Sequence, residues 1–384
     1  MARSKTTSGS NAALWPMKPS HALLWQGVVL GIALLILIWF GHNAASHLAR
    51  RNMELDFSFL WRPAGFAMPF QITSFKPTDS YAMALVAAFS NTLLVSALGV
   101  VTATLLGLAL GVMRLSPSWL MRSASGAIVE LIRNTPQLLQ IVFWYVGVLQ
   151  LLPQARQSLS LGGMFHLNIR GLFLPYPLAG DRTTIFALLL LLSLALVPLL
   201  RRFLPMRRKG SRWLWLVPPV LFVVLVESLS GWSVPTLKGF NFVGGMVMPP
   251  ELVALWVGLS LYSAAFIAEI VRGSVEGVAK GQREAAYSLG LRPWPTLRLV
   301  ILPQALGVMI PQMTNQYLNL IKSSSLGAAI AYPEIVQIFA GTVLNQSGRA
   351  IEVMVILMGV FLSVNLLASA GLARLNAKFA LKER

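Results

Sequence analysis

Apolar runs about twenty residues long recur along this chain, and an α-helix needs about that length to cross the hydrocarbon core of a bilayer. They lie at 22–40, 82–113, 125–152, 184–200, 213–232, 251–272, from 305 onward, and at 351–372. Backbone N–H and C=O groups find no water partners in lipid, so such runs must close their hydrogen bonds internally as helices. The predicted fold is an all-α polytopic membrane protein with about eight transmembrane helices.

Composition and charge placement support that reading. Only 11% of the 384 residues are charged, against about 25% in a soluble domain, and mean hydropathy is +0.68. A net charge of +18 would suit nucleic acid. The basic residues, however, cluster between apolar runs, as the positive-inside rule requires, and no nucleic-acid partner is predicted. The segment 1–21 is Ser/Thr-rich and basic (Arg3, Lys5, Lys18) and reads as a disordered cytoplasmic tail. The run at 22–41 is too long for the apolar region of a signal peptide; Trp25 and Trp39 bracket it as a membrane helix. Residues 42–80 mix charges with aromatics and read as an external, partly interfacial segment. The main membrane domain is placed at 81–375. Its insert, about 153–250, holds two Gly/Pro-rich external loops around a helix pair. Arg201, Arg202, Arg207, Arg208, Lys209 and Arg212 form the densest basic cluster, read as a topology anchor in preference to an anionic-lipid contact. A short tail, 376–384, is again basic, so both termini are placed in the cytoplasm.

Three sets of small or polar residues interrupt the spans. Gly107 and Gly111 make a small-xxx-small face for close helix packing. The first half of the third span holds Glu130, Arg133, Asn134, Pro136 and Gln137 and reads either as a pathway or gate element or as a structural ion pair of Glu130 with Arg133 at i,i+3, the spacing that Glu269 and Arg272 also have. Gln312, Asn315, Gln316, Asn319 and Lys322 fall on one helical face. In a bilayer that stripe must meet protein or water, so it lines a translocation path or bonds to neighbouring helices.

Residues 273–303 are a polar, basic loop between two spans. A helix is predicted at 273–289, with Glu276 and Lys280 paired at i,i+4 and Gly290 ending it. Arg292, Pro293 and Pro295 make a turn, and Thr296 is placed to cap a second short helix that stops before Pro303. Ala285 and Ala286 leave one helix face nearly flat, open to close approach by another protein.

The chain lacks the residues for most chemistry. It has no cysteine, so disulfides, thiolate metal sites and Cys nucleophiles are excluded. His21, His42, His47 and His166 show no metal-ligand spacing. No G-x-x-x-x-G-K-[ST] loop occurs, so ATP is not hydrolysed here, and no nucleophile–base set stands out. No catalytic residue, metal or cofactor is assigned to this chain, and it is not read as an enzyme.

Glu284, Ala285, Ala286, Gly290, Val300, Leu302 and Pro303 fit the pattern E-A-A, three residues, G, nine residues, I or V, one residue, L-P. This resembles the coupling-helix loop of the membrane subunits of bacterial ABC importers. Residues 89–372 are more widely similar to polar-amino-acid permeases of that class. SNTLLVSALG, ELIRNTPQLLQ, IAEIVRGSVEGVAKGQREAA and ILPQALGVMIPQMTNQYLNLIKSSSL carry the likeness. The resemblance implies a five-helix permease core made of the second, third, sixth, seventh and eighth spans. The extra N-terminal helix and the insert depart from that core and resemble the larger, M-type membrane subunit of general L-amino-acid transport systems. It further implies an inner-membrane subunit moving L-amino acids, with broad specificity, from periplasm to cytoplasm. Its partners would be a second homologous permease subunit, two cytosolic ATPase subunits that carry ATP and Mg, and a periplasmic amino-acid-binding protein.

For a zwitterionic cargo, Asn315, Gln316, Asn319 and Lys322 are the candidate donors to carboxylate, and Glu269 or Glu130 the candidate acceptors for ammonium. Two rival classes remain on sequence grounds. A stand-alone secondary transporter or channel leaves the 273–303 loop without a purpose. A membrane-embedded enzyme lacks a catalytic cluster.

Overall fold

A computed structural model describes residues 19–50, 55–177, 220 and 232–379. The chain divides into two units, Met1–Phe57 and Ser58–Arg384. In the first, helix α1 (Pro19–Arg50) carries the apolar window Trp25–Asn43, none of which is buried. A helix this long and apolar is suited to lipid.

The second unit opens with an irregular segment whose 3-10 turn, Ser58–Trp61, buries Phe59. Phe75 and Met68 join Phe59 in a small core, and Ser80 then caps α2 (Tyr81–Arg114) by accepting the Met83 N–H at 3.3 Å. Helix α2 packs along α5 (Pro250–Glu276). The small face predicted from Gly107 and Gly111 is the contact: a Cβ on Gly107 would lie 2.6 Å from Ile267 Cβ, and one on Gly111 2.7 Å from Val271 Cβ.

The predicted helix at 125–152 is two pieces. Helix α3 (Trp119–Arg133) stops, and α4 (Gln137–Val142) starts after Pro136 and runs through irregular helical turns to Leu151. Proline has no N–H to continue the ladder and biases the residue before it away from helical angles. The Gln140 side-chain amide donates to Ile132 O at 2.8 Å and Thr135 O at 3.1 Å, answering carbonyls freed at the break.

The all-α expectation is corrected in the insert. Strands β1 (Leu159–Leu161), β2 (Phe165–Asn168) and β3 (Gly171–Leu174) pair with β8 (Met246–Met248) in an antiparallel sheet ordered β1-β2-β3-β8. Gly171 is required there: its φ is +119°, and a Cβ would meet Met248 O at 2.1 Å. Short strands β4 (Tyr176–Pro177) and β5 (Trp232–Ser233) pair, as do β6 (Thr236–Lys238) and β7 (Asn241–Val243). Strands this short, rich in Gly and Pro, read in sequence as loops. The span predicted at 184–200, all but residues 220 and 232 of that at 213–232, the whole basic cluster between them and most of the two tails lie outside the described residues.

Past α5 come α6 (Lys280–Ser288), α7 (Pro293–Thr296), a wide turn at Leu297–Ile301, and α8 (Leu302–Ser323). A 3-10 segment (Ser324–Ile330), a wide turn (Gln337–Val343) and α9 (Leu344–Ser347) lead to α10 (Ala350–Phe379). Among the described residues, 5 helices are long and apolar enough to cross a membrane, with Gln137–Leu151 a shorter apolar helix beside them. The side-chain amide of Asn91 locks the bundle at one end. It donates to Phe70 O at 3.0 Å and Pro333 O at 2.9 Å, while Tyr332 donates its hydroxyl to Asn91 O.

Candidate functional site

The 273–303 loop is an elbow of two short helices. It differs from the predicted single helix at 273–289, because α5 ends at Glu276 and α6 begins at Lys280. Glycine is a poor helix former, and Gly277 stands at the break. The Arg283 guanidinium donates to Val275 O at 3.1 Å, capping a carbonyl that the break exposes. Glu276 pairs with Arg272, one turn earlier, and not with Lys280 as predicted.

The far end of α6 is closed by two bonds. Leu291 N–H donates to Ala286 O and Gly290 N–H to Tyr287 O, with Gly290 at φ +74°. This paired closure needs a left-handed residue, which glycine supplies without strain. The cap of α7 is Arg292 with Pro293 at the first position, not Thr296. Thr296 is instead buried in the last turn, with its N–H on Arg292 O. The second short helix does not stop before Pro303 either. It runs through the wide turn into α8, and the wide turn, with Leu302 N–H on Leu297 O, comes just before Pro303, which has no N–H to continue the ladder.

Glu284 and Ala285 are exposed on α6, whereas Ala286 is 3% exposed and packs inward. The predicted flat face therefore consists of Ala285 alone, with Ala286 seating the helix. Around it stand Tyr287, Leu289 (81% exposed) and Trp294 (69% exposed), with Leu302 and Pro303 also at the surface. Glu284, Ala285, Gly290, Leu302 and Pro303 are thus accessible, beside large apolar side chains that a lone protein in water would hide.

Glu269 sits nearby in an ion cluster. Its carboxylate pairs with Arg114 from the end of α2, Arg272 on its own helix, and Arg133 from the end of α3 at 3.8 Å. Arg133 also lies over the Phe266 ring, 5.1 Å from its centroid. One carboxylate therefore ties three helix ends together. Glu130, the predicted partner of Arg133, is exposed.

A cleft of about 290 Å³ opens between α4, α5 and α8. Gln316, Asn319 and Lys322 enter it from α8, Gln137 from α4, and Tyr262, Ser263 and Phe266 from α5. The structure thus brings three of the predicted path residues together. Asn315 is exposed outside the lining, and Glu269 and Glu130 do not reach it. Gln137 lies in the stretch of the third span read as a pathway or gate element, and Ser263 was missed by sequence reasoning.

Residues 99–380 match the family described as "Binding-protein-dependent transport system inner membrane component". A protein of Escherichia coli (strain K12) whose name describes an amino-acid ABC transporter permease, YhdX, is 43% identical over 95% of this chain and 95% of its own. The general L-amino acid transport system permease protein AapQ of Rhizobium johnstonii is 41% identical, covering 95% of this chain and 93% of its own. The glutamate/glutamine/aspartate/asparagine transport system permease protein BztB of Rhodobacter capsulatus is 35% identical over 94% and 93%.

Proposed function

This chain belongs to the family of inner membrane components of binding-protein-dependent transport systems, and on that premise we propose that it is the permease subunit of an ATP-driven importer of L-amino acids. The carrying observation is the exposed elbow at α6 and α7, where Glu284, Ala285 and a left-handed Gly290 stand among uncovered aromatic and aliphatic side chains. That surface fits a docking partner, and the chain has no phosphate loop of its own. Two ATPase subunits holding ATP and Mg would grip this elbow and that of a second permease subunit. A periplasmic protein would deliver the amino acid.

Closure of the ATPases moves the elbow, and α5 and α8, which flank it, carry the motion to the cleft. Gln316, Asn319 and Lys322 then meet the solute on its way to the cytoplasm. The domain plan keeps the core at 81–375, the elbow at 273–303, and both termini in the cytoplasm. The names of two relatives, one for general L-amino acids and one for four acidic or amide amino acids, support broad specificity. The test is to express the chain with its genomic neighbours, isolate the complex and measure uptake of labelled L-amino acids into vesicles. Co-isolation of a P-loop ATPase, with uptake that requires ATP, is the expected result. Uptake that persists when every such ATPase is removed would establish an ion-gradient transporter instead.

A further inference from the structure

The sheet of the insert has an apolar face that the bundle covers only in part. Its register puts Leu172, Leu174 and Met248 on that face, packed against the core at the start of α5. Leu159, Leu161, Phe165 and Leu167 of β1 and β2 carry the same face outward, away from α5. Leu161 is 75% exposed, and Leu159 and Phe165 are exposed beside it. A sheet with one wet face turns its polar residues to the water. Here that order is reversed. His166 and Asn168 stand on the opposite face, where the Phe242 ring centroid lies 4.5 Å from that of His166 and 4.9 Å from that of Phe173. The turn joining β1 to β2 carries Met164, also exposed, where turns in water favour small and polar residues.

Charge and position point to what this face meets. The described residues of the insert, 153–177 and 232–250, hold Arg156, Arg170 and Lys238 but no Asp or Glu. Tyr176 and Trp232 lie in the paired strands β4 and β5, and these two residue types gather at membrane–water boundaries. Strand β1 starts shortly after the apolar helix Gln137–Leu151 ends, and β8 runs into α5. The sheet thus stands where two apolar helices leave the bilayer, and a face that covers helix ends there continues over the lipid beside them. A protein-docking patch has a rim of mixed polar residues, whereas the charges around this one are all positive. Aliphatic and aromatic side chains with basic neighbours fit anionic headgroups above acyl chains.

We propose that the β1–β2 half of the sheet is a membrane-surface contact, in which Leu159, Leu161 and Phe165 rest at headgroup depth in the outer leaflet and Arg156 and Arg170 bind the phosphates of anionic lipids. This rests on the reading of the chain as a permease whose 273–303 elbow faces the cytoplasm, which places the sheet outside. At headgroup depth the strands stay within reach of small water-borne reagents from the outer side.

The test uses the purified complex of this chain with its partner permease and ATPases, in nanodiscs of phosphatidylethanolamine and phosphatidylglycerol. An NBD dye is attached to Leu159→Cys or Phe165→Cys, with the signal of the unsubstituted complex subtracted. The reference is Asn241→Cys in β7, the strand whose Phe242 covers the opposite face. Lipid spin-labelled near the headgroup is expected to quench the dye at the first two positions at least about twofold more than at the reference. Replacing phosphatidylglycerol by phosphatidylcholine should reduce that quenching by about half, and Arg156→Gln with Arg170→Gln should do the same in the original discs. Quenching at Phe165→Cys no greater than at Asn241→Cys overturns the proposal. If the dye is then shielded from iodide, a protein segment covers the face, either residues 178–231 or the second permease; if it is open to iodide, the face is bare. Quenching that is the same with either headgroup overturns the proposal too, because the arginines then hold no lipid phosphate. ATP-dependent vesicle uptake by the unsubstituted complex separates the two levels. Uptake without lipid quenching removes this contact and leaves the permease reading standing, whereas lipid quenching without uptake does the reverse.

Discussion

Glu334 shows how one residue can carry both structure and pH dependence. It is fully buried between two spans, and its two carboxylate oxygens accept the N–H groups of Val336 and Gln337 at 2.9 and 2.6 Å. Burial pushes its carboxyl up from 4.5 to about 8, with the two N–H groups pulling the other way. A carboxyl raised in the fold binds its proton more tightly there than in the unfolded chain. Its stabilising contribution is therefore complete below 4.5 and is lost as pH rises through about 8. Glu334→Gln should flatten that part of the pH dependence, and thermal midpoints of the solubilised complex at pH 5 and pH 8 measure the difference. A slope equal in mutant and wild type would assign the titration elsewhere. Glu269 makes a second residue-level case. Replacing it with Gln leaves Arg114 and Arg133 without their carboxylate, beside Arg272, which keeps Glu276. The expected loss exceeds about 1 kcal/mol, seen as a lowered thermal midpoint, and adding Arg133→Gln should recover part of it.

At the scale of elements, glycines decide where helices meet and where they turn. Gly290→Val forces a β-branched residue into left-handed angles at φ +74°, a cost of about 1–2 kcal/mol, and should uncouple uptake from ATP hydrolysis while the chain still inserts. Gly290→Asn should do so much less, because asparagine visits that region. Parallel assays of vesicle uptake and ATPase activity separate the two. Gly107→Leu acts differently, since Ile267 already fills the space. It should lower the yield of folded protein, as read by size-exclusion chromatography. Both glycines were legible in the sequence, because a glycine after a periodic run and a small-xxx-small pair have direct physical meanings. The break at Pro136 was equally visible yet was read through, because the apolar residues on either side looked like one long run. Gly277 was passed over for a similar reason, since the polar residues around it keep helical spacing across the break. The sheet of β1, β2, β3 and β8 was not legible. Its strands are only three or four residues long, and pairing β8 with β3 joins segments from opposite ends of the insert. The cleft was half legible. Helical phase found the α8 stripe, but Gln137 and Ser263 come from other helices, and only packing brings them opposite it.

At the scale of the whole molecule, the open question is which side of the membrane each surface meets, and charge placement gives a testable answer. The basic elbow must face the cytoplasm if it is to meet an ATPase, which puts the far ends of α5 and α8 on the opposite side. The sheet follows, because β8 leads directly into the first residues of α5. Strand β1 and helix α6 should therefore lie on opposite faces of the bilayer. The chain has no cysteine of its own, so a single introduced thiol reports its position without background. Lys280 and Leu161 are both exposed and lie in these two elements. In intact spheroplasts, a membrane-impermeant maleimide should label Leu161→Cys and spare Lys280→Cys. In inside-out vesicles the pattern should reverse. Labelling of Lys280→Cys from outside would remove the elbow from reach of any cytosolic motor, and the permease reading would fall with it. Labelling of both from the same side would mean that the path from β8 through α5 to α6 does not cross the membrane, against the length and apolar character of α5.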